Sequence, residues 1–187
     1  MKSIVLYGST GMIGQRILAE ALSRGHNLTA VVRETSVTGE HRANLAYRTG
    51  DPSLIVKATH SLIEGLTRVE PIRLIAVSGA GSLEVKPGLQ LVDTPNFPAA
   101  WKPAALAHRD AIDIYRKAGF AGFDWTAASP AALIQPGTRT GKYRTATEQL
   151  IVDDKGVSRI SAEDFAVAIL DEVENPKFKQ MRFTAAY

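Results

Sequence analysis

The sequence predicts an α/β fold with a mainly parallel sheet and helices on both faces, and three observations carry it. Residues 4–7 (Ile, Val, Leu, Tyr) form an unbroken apolar run closed by Gly8, the pattern of a strand buried on both faces. From Met12 to about Arg24 the spacing turns helical: Ile13, Ile17 and Ala21 share a stripe, with Leu18 and Leu22 beside it. A second apolar run, 28–32, follows the helix stop at Gly25. Strand, helix, strand in that order is a βαβ unit, and it demands a parallel sheet covered by helices.

The remaining elements follow in order. A weaker strand is expected at 45–48. Asp51 and Pro52 read as N-cap and first-turn proline of a helix to about Thr67, with Ile55, Ala58, Leu62 and Leu66 facing inward. Residues 73–77 are the next strand, closing on Ser78-Gly79-Ala80-Gly81-Ser82. Four prolines between 83 and 103 mark a long ordered loop. A helix over 103–118 carries Ala107, Ala111, Ile114 and Ala118 at core spacing, and Gly119 ends it. Residues 124–128 form a strand broken by Ser129-Pro130. A hairpin is expected between 150–153 and 157–160. Ser161 and Asp164 form a capping-box variant for a helix to about Glu174, stopped by Pro176, and 181–185 is the last strand. One domain over 1–187 is expected, with a small C-terminal substrate lobe from about 131.

Composition excludes several functions. With 45% hydrophobic and 22% charged residues the chain is globular in type. Zero cysteines rule out disulfides, a thiolate metal site and a cysteine nucleophile. A formal charge of +3 without a basic stripe argues against a nucleic-acid partner. The apolar N-terminal run is too short for a signal core, and no stretch is long enough for a membrane span. No membrane partner and a cytoplasmic location are therefore expected, as monomer or homodimer. His26, His41, His60 and His108 lack metal-ligand spacing, so no metal is expected.

The sharpest motif is Gly8-Ser9-Thr10-Gly11-Met12-Ile13-Gly14, a G-x-x-G-x-x-G loop between the first strand and the first helix. Glycines there permit a tight turn and close approach of backbone to a pyrophosphate, which the helix N-terminus attracts. This makes the α/β unit Rossmann-type and doubly wound. The end of the second strand carries Arg33 where an NAD site usually has a carboxylate; a guanidinium suits the 2′-phosphate of NADP, leaving NAD the less favoured choice.

Together with Val77 to Leu83, Trp101-Lys102-Pro103, Ala107-His108, Ser129-Pro130-Ala131 and Arg159-Ile160-Ser161 with Asp164, this loop resembles the atypical short-chain dehydrogenase/reductases of the NmrA-like, NADH-flavin-reductase-like branch. The resemblance implies NAD(P) held by residues 8–14, Arg33, Asp51, Ser78, Gly79, Ser129, Pro130 and Ala131. It implies a small-molecule acceptor, with flavin or quinone reduction the expected chemistry. Ser78, Lys102 and His108 are the catalytic candidates, and Trp101 and Tyr143 the aromatic ones. The Tyr-x-x-x-Lys pair of ordinary dehydrogenases is absent, since Gly119 stands four residues after Tyr115; a non-catalytic NAD(P) sensor is therefore the alternative. Only one helix fits between Asp51 and Arg73, about 25 residues short of the family pattern, so the sheet is expected to lack one strand. Either 74–77 moves beside 4–7, or a segment is missing.

Overall fold

The computed structural model describes residues 1–32, 51–69, 71–119 and 122–187. Strand β1 (Ser3–Tyr7) runs through the glycine loop into helix α1 (Met12–Ser23), and β2 (Asn27–Val31) returns parallel to β1. Helix α2 (Ser53–Leu66) precedes β3 (Arg73–Val77). The proline-rich stretch holds short strands β4 (Glu84–Lys86) and β5 (Leu89–Gln90) and two single helical turns before helix α3 (Lys102–Ala118). Then come β6 (Asp124–Pro130), β7 (Leu133–Gln135), β8 (Arg144–Ala146), β9 (Arg159–Ser161), helix α4 (Ala162–Glu174) and β10 (Met181–Ala186). The expected strand at 45–48 and Arg33 lie outside the described residues.

Helices cover both faces of the main sheet. Ile17 and Ala21 of α1 and Phe165, Ala166, Ile169 and Leu170 of α4 pack with Ala128 and Phe183 in one core. On the other face Ile112 and Tyr115 of α3, with Ile63 and Leu66 of α2, enclose Phe123, Trp125 and Ala127. Trp125 stacks on Tyr115 at 5.6 Å between ring centroids. Period-two alternation along β6 sends Trp125 and Ala127 to one layer and Ala128 to the other, so this strand is central.

Several expectations need correction. Ser129-Pro130 extends β6 instead of breaking it: Pro130 pairs with Ala185 in the parallel ladder. Residues 150–160 make no strand hairpin. The Asp153 carboxylate accepts from the Lys155 and Val157 amides to close a tight turn, and β9 pairs in parallel with β7. The expected last strand is β10, and it lies inside the four-stranded sheet between β6 and β8. The inward face of α2 is rotated from that expected: Thr59 is its buried residue, while Leu62 is exposed. Helix α3 buries Ala107 and Ala111 as expected, and adds Ile112 and Tyr115 in place of Ile114 and Ala118.

The largest departure lies between β1 and β3. The β3 strand pairs with β6, not with β1, so 74–77 has not moved beside 4–7. Strand β1 belongs to the sheet β1–β2 and β3 to the sheet β3–β6–β10–β8, with β4–β5 and β7–β9 as separate pairs, and among the described residues no ladder joins the first two. A buried sheet could not leave such edges unpaired. Strand β3 contains no buried residue, and Val5 and Tyr7 of β1 are 54% and 70% exposed. The first strand is thus covered on its Ile4 and Leu6 side alone.

Candidate functional site

Parallel pairing puts the ends of β1, β3 and β6 at carboxyl edges, where open α/β sheets bind ligands. At β1 the glycine loop closes through Gly11 N–H donating to Gly8 O at 3.0 Å. A Cβ built on Gly14 would lie 1.9 Å from Gly8 O, so the loop folds back on a residue that has to be glycine. Ser9 is buried beneath it. Helix α1 starts at Gly11 with no side-chain cap and no acidic residue in its first turn. Its first N–H groups and positive dipole end are left for an anion. Helix α4 is the contrast, with Ser161 accepting from Asp164 N–H at 3.0 Å and Glu163 and Asp164 in its first turn.

On the neighbouring sheet, Ser78 follows β3 and its N–H donates to Ala128 O at 2.8 Å, which places it beside Ser129. Ser129 is wholly buried and Ser78 nearly so, and neither hydroxyl has a hydrogen-bond partner. Two orphaned hydroxyls on adjacent strand ends are costly unless a ligand completes them. They suit a carboxamide or a carbonyl oxygen. The uncapped α1 with its glycine loop and this serine pair fit, respectively, the pyrophosphate and the nicotinamide end of a dinucleotide.

Gly79 lets His108 approach: a Cβ there would sit 3.3 Å from His108 Cδ2. Burial holds the imidazole below its ordinary pKa of 6.5, so His108 is neutral at pH 7. The other candidates scatter. Lys102 is exposed at the start of α3, and Trp101 is 53% exposed. Asp51 accepts from Ser53 N–H at 2.9 Å, serving the start of α2. Pro130 and Ala131 are buried continuations of β6. Tyr143 is not an aromatic wall of this site. Its hydroxyl donates to Asp171, which pairs with Arg24 beyond the C-terminal end of α1, about 18 Å along that helix from the glycine loop. Tyr115 cannot replace the absent catalytic tyrosine, being 4% exposed within the core.

In the sequence, Arg182 stands out only as part of the family-like run Arg182-Phe183-Thr184, with no role attached. This 1% exposed guanidinium donates to Ser82 Oγ at 2.7 Å and Ser82 O at 3.1 Å and pairs with Glu148, tying β10 to the loop that begins at Ser78. The signal for that tie is a charged residue in the apolar strand Met-Arg-Phe-Thr-Ala-Ala. Two surface grooves, of about 440 and 720 Å³, are lined by residues such as Glu20 and Arg139, and Lys142 and Asn175, and neither includes the glycine loop or the serine pair. Among the described residues no cluster of three or more His, Asp or Glu could hold a metal ion, and no helix is long and apolar enough to cross a membrane.

A family described as NAD(P)H-binding matches residues 45–173, a span that begins after the glycine loop. The "uncharacterized protein YwnB" of Bacillus subtilis is 35% identical over 207 aligned positions, covering 97% of this chain and 96% of the relative. Those 207 positions exceed the 187 residues of the chain, so at least 20 have no counterpart in it. A "putative exported protein" of Burkholderia pseudomallei is 43% identical with TM-score 0.86, each chain covered completely. A "putative NADH-flavin reductase" of Streptococcus pneumoniae is 30% identical with TM-score 0.81, covering 100% of this chain and 99% of its own. The chain belongs to the NAD(P)H-binding family of Rossmann-type proteins, in line with its resemblance to the NmrA-like atypical short-chain dehydrogenase/reductases.

Proposed function

We propose that the protein is an NAD(P)H-dependent oxidoreductase that delivers hydride to a small flat acceptor of the flavin or quinone type. One observation carries the reading: an uncapped, acid-free helix N-terminus behind a glycine loop, accompanied by two buried hydroxyls without partners at neighbouring strand ends. The S. pneumoniae relative described as an NADH-flavin reductase supports the acceptor class. The nicotinamide cofactor supplies the hydride when bound. The chain's own part is to hold the pyrophosphate on the backbone of residues 8–14 and to orient the carboxamide or acceptor oxygen with Ser78 and Ser129. Neutral His108 lines the same edge through Gly79. A flavin or quinone can take its proton from water, which suits a site without a catalytic tyrosine.

NADPH oxidation measured against a panel of flavins and quinones tests the reading. Turnover supports it. Tight NADPH binding with no turnover favours the second reading, a dinucleotide sensor, which the core position of Tyr115 supports. On the sequence argument, Arg33 selects the 2′-phosphate. Arg33→Asp should then weaken NADPH by about 10- to 150-fold, the equivalent of a 1.5–3 kcal/mol charge-assisted bond, with little loss for NADH. Equal wild-type affinities for the two cofactors at low salt would refute that role.

A further inference from the structure

We propose that Arg182 is a positioning residue: from within the sheet its guanidinium fixes the loop of residues 78–82 and thereby holds the Ser78 hydroxyl where it meets the ligand. The inference rests on reading Ser78 and Ser129 as the nicotinamide end of the site. Arg182 lies opposite Ala127 in the β6–β10 ladder, and Thr184 lies opposite Ser129. Period-two alternation sends Phe183 and Ala185 into the core beneath α1 and α4. Arg182 and Thr184 therefore share the other face, toward α3, with Ala127 and Ser129. From there the guanidinium donates to Ser82 Oγ at 2.7 Å and to Ser82 O at 3.1 Å. Among the described residues no other side chain hydrogen-bonds any residue of 78–82.

Backbone and shape supply the loop's other restraints. Ser78 N–H donates to Ala128 O at 2.8 Å, and Val92 N–H donates to Gly81 O at 2.8 Å. A Cβ at Gly79 would lie 3.3 Å from His108, and one at Gly81 2.6 Å from Ala105, so α3 closes over the loop from outside. Arg182 supplies the hold from beneath. Glu148, which pairs with Arg182, also pairs with Arg116 of α3 at 2.7 Å. One carboxylate thus sets both the loop and the helix that carries His108. Stability is a poor account of such a residue. A guanidinium only 1% exposed carries a desolvation cost that apolar side chains of similar volume avoid, and its Nε has no hydrogen-bond partner. An arginine offers instead a rigid fork, whose two terminal nitrogens bind the Ser82 hydroxyl, the Ser82 carbonyl and Glu148 at once.

Calorimetric titration of the full chain tests this by comparing NADPH and NADH with their nicotinamide-free counterparts, 2′-phospho-ADP-ribose and ADP-ribose. The wild type is expected to prefer an intact cofactor by about ten-fold, the equivalent of one or two hydrogen bonds to the carboxamide. In Arg182→Met that preference is expected to vanish, while affinity for the nicotinamide-free ligand stays within about two-fold because the glycine loop is untouched. Ser82→Ala, which removes one bond of the fork, should lower the preference by about two- to three-fold. A residue serving stability alone would lower both affinities together or neither, and either result in Arg182→Met overturns the proposal. An unchanged preference in Ser82→Ala overturns it as well, whether or not Arg182→Met folds. A wild type that binds cofactor and counterpart equally overturns the proposal and leaves the dinucleotide reading standing. A wild type that binds none of the four ligands overturns both, so the two failures are distinguishable.

Discussion

Gly11 and Gly14 sit three residues apart in one turn and are glycines for different reasons. Gly11 has φ −81° and ψ 167°, an extended conformation open to any residue, so its missing side chain serves the ligand. Gly14 has no room for a methyl group against Gly8 O. Gly11→Val should therefore fold, losing about 1 kcal/mol at the N-cap, and lose dinucleotide binding. Gly14→Ala should unfold the loop and destabilise the whole chain by several kcal/mol, because backbone must move. Chemical denaturation and NADPH titration of both variants check the contrast; unchanged NADPH affinity in folded Gly11→Val would refute the phosphate role. The motif was legible in the sequence, but the division of labour within it needed the loop's geometry. His108 gives a second residue-level test. Burial lowers its folded pKa below 6.5, so the unfolded chain binds its proton more readily. Stability contributed by neutral His108 is complete above pH 6.5 and is lost as pH falls toward the folded pKa. His108→Leu should flatten that part of the stability–pH curve, and an unchanged slope between pH 7 and 5 would remove the argument.

At the scale of elements, the two parallel helices α1 and α4 show how capping separates a structural helix from a ligand-binding one. Ser161 accepts from Asp164 N–H and donates to Thr138 O at 2.9 Å. Burial raises the pKa of Asp164, but hydrogen bonds from the hydroxyls of Thr140 and Tyr187 and the amides of Gly141 and Thr140 outweigh it and hold the carboxylate below its usual 3.8. Replacing Ser161 by Ala should cost about 1–2 kcal/mol in denaturant unfolding with no change in the NADPH dissociation constant. A change in NADPH affinity at unchanged stability would contradict the separation. This capping box was readable from Ser161 and Asp164 alone because it is local. The hairpin at 150–160 was misread for the complementary reason. Asp153 and Gly156 do make the turn, but pairing is decided by distant chain, and β9 finds β7. Ser129-Pro130 misled similarly: Pro130 lacks only a donor, and at the end of β6 that loss is tolerable. The face of α2 slipped by one residue because Ala58 and Thr59 are similar in size, and packing, not hydropathy, selects Thr59, whereas the alanine stripe of α3 at Ala107 and Ala111 was legible.

For the whole molecule, length arithmetic anticipated a shortened sheet, and among the described residues no ladder joins β1 to β3, an outcome the spacing alone could not specify. A sheet closes such a slot by sliding strands together only if the covering helices can follow. Here β3 is bound to β6 through five paired residues from Arg73–Asp124 to Val77–Ala128, and β6 carries Trp125 into the α2–α3 core. Moving β3 toward β1 would break both. Burial is divided unequally between the two sheets. Strand β6 has neighbours on both sides and six of its seven residues are buried. In β1, with one ladder partner among the described residues, Ser3, Val5 and Tyr7 are exposed and none of the five residues is buried. Local opening follows buried apolar contact and backbone pairing. Without ligand, amides of β6 and β10 should exchange slowest, and those of β1 and β2 at least ten-fold faster, a difference of about 1.4 kcal/mol in opening free energy. The slow set should open only with global unfolding, and the fast set should respond to low denaturant with a small slope, the mark of a sub-global opening. Equal protection of β1 and β6 would mean that the two sheets form one cooperative unit, and that unequal burial has no energetic consequence.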